Sequence, residues 1–184
     1  QAVAYDLGVM SAELDYLSRG RSPDVLTGLE YERILSASGP TRGELLRPSD
    51  GRTPRRIAWI QCVGSRGINA ADVSYCSSAC CMFAIKEAIV TRERFGNDIE
   101  TSIFYMDIRT AGKDYELYYQ RAVNEYGVRF VRCRPHSVLP DDDGQLRISY
   151  MREEGSGLET ERFDLVVLST GFRVPAQPPA RPPP

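Results

Sequence analysis

Arg56-Ile57-Ala58-Trp59-Ile60-Gln61-Cys62-Val63-Gly64-Ser65-Arg66-Gly67 is the stretch that decides the fold. A short apolar, β-compatible run empties into a Gly/Ser turn, the way a strand opens onto the chemical end of an α/β sheet. In a dinucleotide-binding domain the turn would read G-x-G-x-x-G and lead at once into a helix. Here Gly64 and Gly67 keep two of those glycines, Cys62 stands at the first, and residues 64–74 form a Gly/Ser/Asn/Asp connection before any helix. NAD(P) is therefore a poor fit, although Asp107, past the next strand, is of the type that reads a ribose.

Four of the five cysteines, Cys62, Cys76, Cys80 and Cys81, lie within 25 positions around this turn. Asp72 or Ser74 is a plausible N-cap for a helix running to about Arg94. On that helix Cys76 and Cys80 share a face at i and i+4, and Cys81 lies about 100° further round. Cys62 can close over them from the neighbouring strand end. Three readings stay open. The cysteines could be small apolar core residues. They could do zinc or thiol–disulfide chemistry, against which stand the lack of any C-x-x-C pair and the awkwardness of Cys80 and Cys81 as adjacent ligands of one tetrahedral ion. Or four thiolates could surround an iron–sulfur cluster several ångströms across, the better match to the spacing, with Arg66 and the helix N-terminus favouring its negative charge. Lys86 either snorkels to solvent or sets a cation beside a reduced flavin or cluster. Cys133 reads as structural, and His136, after Pro135, as a surface residue.

Working outward, Ser11 to Leu17 could form a short helix stopped by Gly20. Leu29, Ile34 and Leu35 give residues 25–38 a partial helical stripe, followed by turn signals at 36–43 and 48–51. Thr101–Met106 is a second buried-type strand, Lys113–Tyr126 a second helix closed by Gly127, and residues 128–132 a third strand. Short strands at 137–139, 146–151 and 160–163, split by Asp141-Asp142-Asp143-Gly144 and Gly155-Ser156-Gly157, read as an antiparallel meander. Asp164–Ser169 is a last buried strand, ending in Thr170-Gly171-Phe172-Arg173-Val174-Pro175. The expected fold class is α/β: a Rossmann-like three-layer domain, a parallel sheet with helices plus an antiparallel β-meander. It matches the NAD(P)-type domain of two-dinucleotide flavoproteins, and the Gly171 segment resembles the one that hands the chain back to the flavin domain. The expected division is a connecting segment at 1–54, a cluster-bearing domain at 55–175, and a Pro-rich tail or linker at 176–184.

The bulk composition agrees. The 184 residues are 42% hydrophobic and 26% charged with a net charge of −2, so nucleic acid is not the expected partner. No apolar run approaches the ~20 residues of a membrane span, and the N-terminus does not read as a signal peptide. A cytoplasmic location is the default, where cysteines more often bind metal or react than pair.

The residues also resemble a known family. Leu35-Ser36-Ala37-Ser38-Gly39-Pro40-Thr41, Arg47-Pro48-Ser49-Asp50-Gly51, Ile57 through Arg66, Tyr75-Cys76-Ser77, Ala79-Cys80-Cys81-Met82, Ala84-Ile85-Lys86-Glu87-Ala88 and Ile103 through Arg109 resemble the heterodisulfide-reductase-A family and its bacterial relatives. The resemblance runs from about Val25 to Pro175. It implies a thioredoxin-reductase-like flavoprotein core with FAD, in which the cysteines matching Cys62, Cys76, Cys80 and Cys81 hold a [4Fe–4S] cluster near the flavin. Gly64, Arg66, Lys86 and Gly171 are then the expected cofactor-binding residues beside them. It further implies electron transfer, including flavin-based bifurcation, with heterodisulfide-reductase-type subunits, ferredoxin, and donors of hydrogenase, formate dehydrogenase or flavin oxidoreductase type. A homodimer stays open. The family's N-terminal FAD fingerprint and ferredoxin-type cysteine runs are not in this sequence, which therefore reads as part of a longer protein. The competing expectations are a cofactor-free assembly module that docks partner subunits, and a zinc or thiol site in the fragment.

Overall fold

The computed structural model describes residues 16–67, 72–152 and 157–172. Eleven elements follow one another: β1 (Val25–Thr27), α1 (Gly28–Leu35), β2 (Arg56–Ile60), α2 (Cys80–Phe95), β3 (Glu100–Tyr105), α3 (Tyr115–Asn124), β4 (Arg129–Arg132), β5 (Ser137–Pro140), β6 (Leu146–Met151), β7 (Leu158–Phe163) and β8 (Leu165–Leu168). They build a parallel five-stranded sheet, in the order β1-β8-β2-β3-β4, and an antiparallel three-stranded sheet, β5-β6-β7. This is the expected fold class.

The central strands β2 and β8 are largely apolar and buried because both of their faces are covered. In β2, Ile57 and Trp59 pack with Tyr31, Ile85 and Ile89 on the helix side. Ala58 and Ile60 pack with Ile148, Tyr150 and Phe163 on the meander side. Trp59 lies opposite Ile103 of β3 and Val167 of β8. Glu161 of β7 fastens the meander to the sheet by accepting from Arg129 of β4 at 2.8 Å and Arg56 of β2 at 3.0 Å.

Several local expectations are corrected. Residues 25–27 form an edge strand paired with β8, so the sheet draws on the 1–54 segment as well as on 55–175. The helical stripe begins only after Thr27, whose side chain closes a capping box with Glu30, and Leu29 is 55% exposed rather than part of the buried face. Leu17 and Ser18 have positive φ, so the described end of the expected 11–17 helix is a turn; residues 11–15 lie outside the described residues, as does the 176–184 tail. The helix expected from Asp72 or Ser74 begins at Cys80. The cause is non-local: Val73 donates to the Gly64 carbonyl and accepts from the Gly67 amide, and Ser78 takes φ +57°, so the backbone there is already committed elsewhere.

The Arg47–Asp50 motif anchors the link into β2. Arg47, buried, donates to Asp24 at 2.9 Å, and the Ser49 hydroxyl donates to the same carboxylate at 2.6 Å. Among the described residues no helix is long and apolar enough to cross a membrane.

Candidate functional site

The site forms at the carboxyl end of β2. Cys62 has φ +59°, the left-handed backbone in which a glycine is at ease and other residues are strained by roughly 1–3 kcal/mol. The cysteine therefore stands at the first-glycine position and keeps the glycine's conformation. Arg66 (φ +60°) and Ser78 (φ +57°) share the strain, which gathers around this turn.

The rest of the dinucleotide apparatus is engaged internally. The Gly64 amide, which would face a pyrophosphate, donates to the Tyr16 hydroxyl at 2.6 Å. Asp107 is held by Arg66 at 2.5 Å and by Arg109 at 3.4 Å. Partial burial alone would raise the Asp107 carboxyl, but the two guanidiniums bring it below its ordinary value.

The four cysteines arrive from three places: Cys62 from the β2 end, Cys76 from an irregular segment, and Cys80 and Cys81 from the first turn of α2. Cys76 is thus not one helical turn before Cys80, as the spacing suggested. The thiols nonetheless converge, because all six pairs among them lie close enough for each charge to be felt by the others. All are free thiols. Burial pushes the Cys62 and Cys80 thiols up and Cys81 to about 11; at Cys62 the positive charge of the Arg66 guanidinium works against this. Hydrogen bonds surround the sulfurs: the Ser78 amide donates to Cys76 Sγ at 3.3 Å, and Ser77 Oγ lies 3.1 Å from Cys80 Sγ. Cys81 Sγ approaches the Asp107 carbonyl at 3.9 Å. The N-terminus of α2 has no side-chain cap and no acidic residue in its first turn, so its positive end is left to the thiols. Among the described residues no three His, Cys, Asp or Glu side chains are grouped as ligands of a single metal ion.

Gly171 packs against this site at φ +72°; a Cβ there would stand 2.8 Å from both Ser65 Oγ and Ser77 Oγ. Lys86 lies outside the thiol group. It is ion-paired with Glu32 of α1 and sits 5.4 Å over the Phe83 ring, so it does not simply extend into solvent. Glu32, Phe83, Cys80, Gly171, Phe172 and the buried Glu87 share a cavity of about 70 Å³ between α1, α2 and the end of β8. Sequence reasoning missed Tyr16, which only the fold brings to the turn, and Glu87. A signal for Glu87 existed: it falls on the same helical face as Ala84, Ala88 and Thr91, all buried. Cys133 is buried in the meander-side core, and His136 is exposed.

No family model matches the chain. It is 43% identical over 172 residues to the A2 iron-sulfur subunit of CoB–CoM heterodisulfide reductase of Methanopyrus kandleri, covering 93% of this chain and 26% of that protein. To the A-type subunit of the H2:CoB-CoM heterodisulfide, ferredoxin reductase of Methanothermobacter marburgensis it is 42% identical over 177 residues, 95% of this chain and 26% of that one. Among solved structures, L-lysine 6-monooxygenase from Pseudomonas syringae superposes with a TM-score of 0.51 at 12% identity, over 94% of this chain and 46% of the other, a likeness of fold alone. Across nearly all of its sequence, and over about a quarter of theirs, this chain is a homologue of the A-type subunits of heterodisulfide reductase.

Proposed function

We propose that the chain is the electron-transfer domain of an oxidoreductase in which Cys62, Cys76, Cys80 and Cys81 hold a [4Fe–4S] cluster near the flavin of the longer protein. The observation that carries this is the convergence of four free thiols from three separate parts of the chain. Four cysteine ligands suit a cluster, whereas the adjacent Cys80 and Cys81 are awkward ligands of one tetrahedral zinc ion. Buried thiols with raised proton affinity need a compensating cation before they ionise, and iron supplies one. The Ser78 amide, Ser77 hydroxyl and Arg66 guanidinium would then hydrogen-bond the ligand sulfurs. A bound cluster supplies one-electron storage.

Lys86, held by Glu32, is proposed to present its charge to the flavin, and Gly171 to let the chain pass close to the cluster. The exposed rings of Phe83 and Phe172, 6.4 Å apart, fit a face covered by the flavin domain. Ferredoxin and a hydrogenase-type donor are the proposed electron partners, after the relative named for H2 and ferredoxin, and bifurcation is the proposed use of the flavin.

Iron retention after anaerobic reconstitution tests the ligand set. Ser at Cys62, Cys76, Cys80 or Cys81 should each lower bound iron, and Cys133→Ala should not. Equal iron in all five variants would remove the assignment. A Lys86→Met protein with an unchanged flavin potential would remove the role given to Lys86.

A further inference from the structure

Glu87 is 2% exposed on α2, does not belong to the thiol group, and has no ion-pair partner among the described residues. Its Oε2 accepts from the Trp59 indole N–H at 2.7 Å. Its Oε1 faces Gly28, where a Cβ would stand only 3.2 Å away, and the carboxyl lines the cavity that also reaches Cys80 and Gly171. The groups around it are Trp59 from β2, Glu32 and Tyr31 from α1, Lys86 and Thr91 from α2, and Ser169 and Thr170 beyond β8. The nearby ammonium, Lys86, is paired with Glu32 instead. A buried carboxylate without its own cation favours the protonated form. Burial, with Glu32 adding to it against Trp59 and Lys86, pushes Glu87 up to about 8.

We infer that Glu87 is the proton-holding group of the electron-transfer site: its cavity-facing carboxyl takes a proton when the four-cysteine centre gains an electron, and gives it back when the electron leaves. The inference rests on the four-cysteine reading. One electron enters from a low-potential one-electron donor of the ferredoxin class. Above about pH 8, where the carboxyl is ionised before the electron arrives, one proton enters from water, forming the carboxyl O–H bond, and the net charge of the site is unchanged. Cys80 and Glu87 are seven residues apart on one helix, about 10 Å along its axis. At that separation, in a medium of intermediate dielectric, an added electron raises the proton affinity of the carboxyl about tenfold.

Trp59, the only tryptophan in the sequence, donates to Glu87 and reports on it without iron. In the iron-free chain, Trp59 fluorescence should titrate near pH 8, and in Glu87→Gln, which keeps an acceptor for the indole, it should be flat. In the reconstituted chain, poised with dithionite, the midpoint potential should fall by about 59 mV in total between pH 7 and pH 10, the equivalent of that tenfold change for one electron. Glu87→Gln should abolish the fall. A pH-independent potential in the wild type, or the same fall in Glu87→Gln, overturns the inference. A chain that takes up no iron overturns the four-cysteine reading and this coupling with it; a surviving Trp59 titration then shows that the ligand set failed and not the carboxyl. The wild-type measurements need no variant to fold.

Discussion

Arg66 donates to Asp107 at 2.5 Å, and the same guanidinium draws down the proton affinity of the Cys62 thiol against burial. The residue type that would read a ribose thus holds in place a cation aimed at a thiol. The pair is partly exposed, so its direct worth to stability is about 1 kcal/mol or less. Arg66→Met should therefore barely move the unfolding midpoint. It should slow alkylation of Cys62 in the iron-free chain at pH 8, because burial would then raise the thiol unopposed. Mass spectrometry of iodoacetamide-treated protein reads both the site and the rate, and an unchanged rate would separate Arg66 from Cys62.

Gly171 and Gly51 have nearly the same φ, +72° and +70°, in different surroundings. Alanine at Gly51 meets nothing within 4 Å, whereas at Gly171 it meets Ser65 and Ser77 at 2.8 Å. Gly51→Ala should cost about 1 kcal/mol of backbone strain, and Gly171→Ala about 2–3 kcal/mol together with lost iron uptake. Urea denaturation of the two variants isolates the contact from the backbone term.

Glu87 sets a pH dependence of stability whose sign is fixed. The folded carboxyl keeps its proton up to about pH 8, whereas the unfolded one loses it near 4.5. Between those values the folded chain binds more protons, so stability falls as pH rises, by up to about 1.4 kcal/mol per unit. Glu87→Gln should flatten this fall and be the more stable protein at pH 8. A steeper fall in the variant would mean that the carboxylate, not the acid, fits the fold.

Much of the fold could be read in the sequence because the central strands are covered on both sides. Residues 57–60 of β2 and Leu165–Leu168 are apolar runs of strand length, and the turn signals around 141–144 and 155–157 mark out the meander. Hydrogen bonds between distant segments could not be read. Val73 is captured by Gly64 and Gly67, and this carries Cys76 off the helix that its spacing to Cys80 implied. Val25–Thr27 is too short for a periodicity and runs directly into α1. At the site, the four cysteines could be picked out by type and spacing. Tyr16 could not, since its hydroxyl reaches Gly64 only through the tertiary fold.

The central claim is that four cysteines hold one cluster, and anaerobic iron and acid-labile sulfide analysis of the reconstituted chain tests it most directly. About four irons and four sulfides per chain are predicted, with an EPR signal on reduction. A folded chain with all five thiols free and no iron or sulfide bound after reconstitution would contradict it.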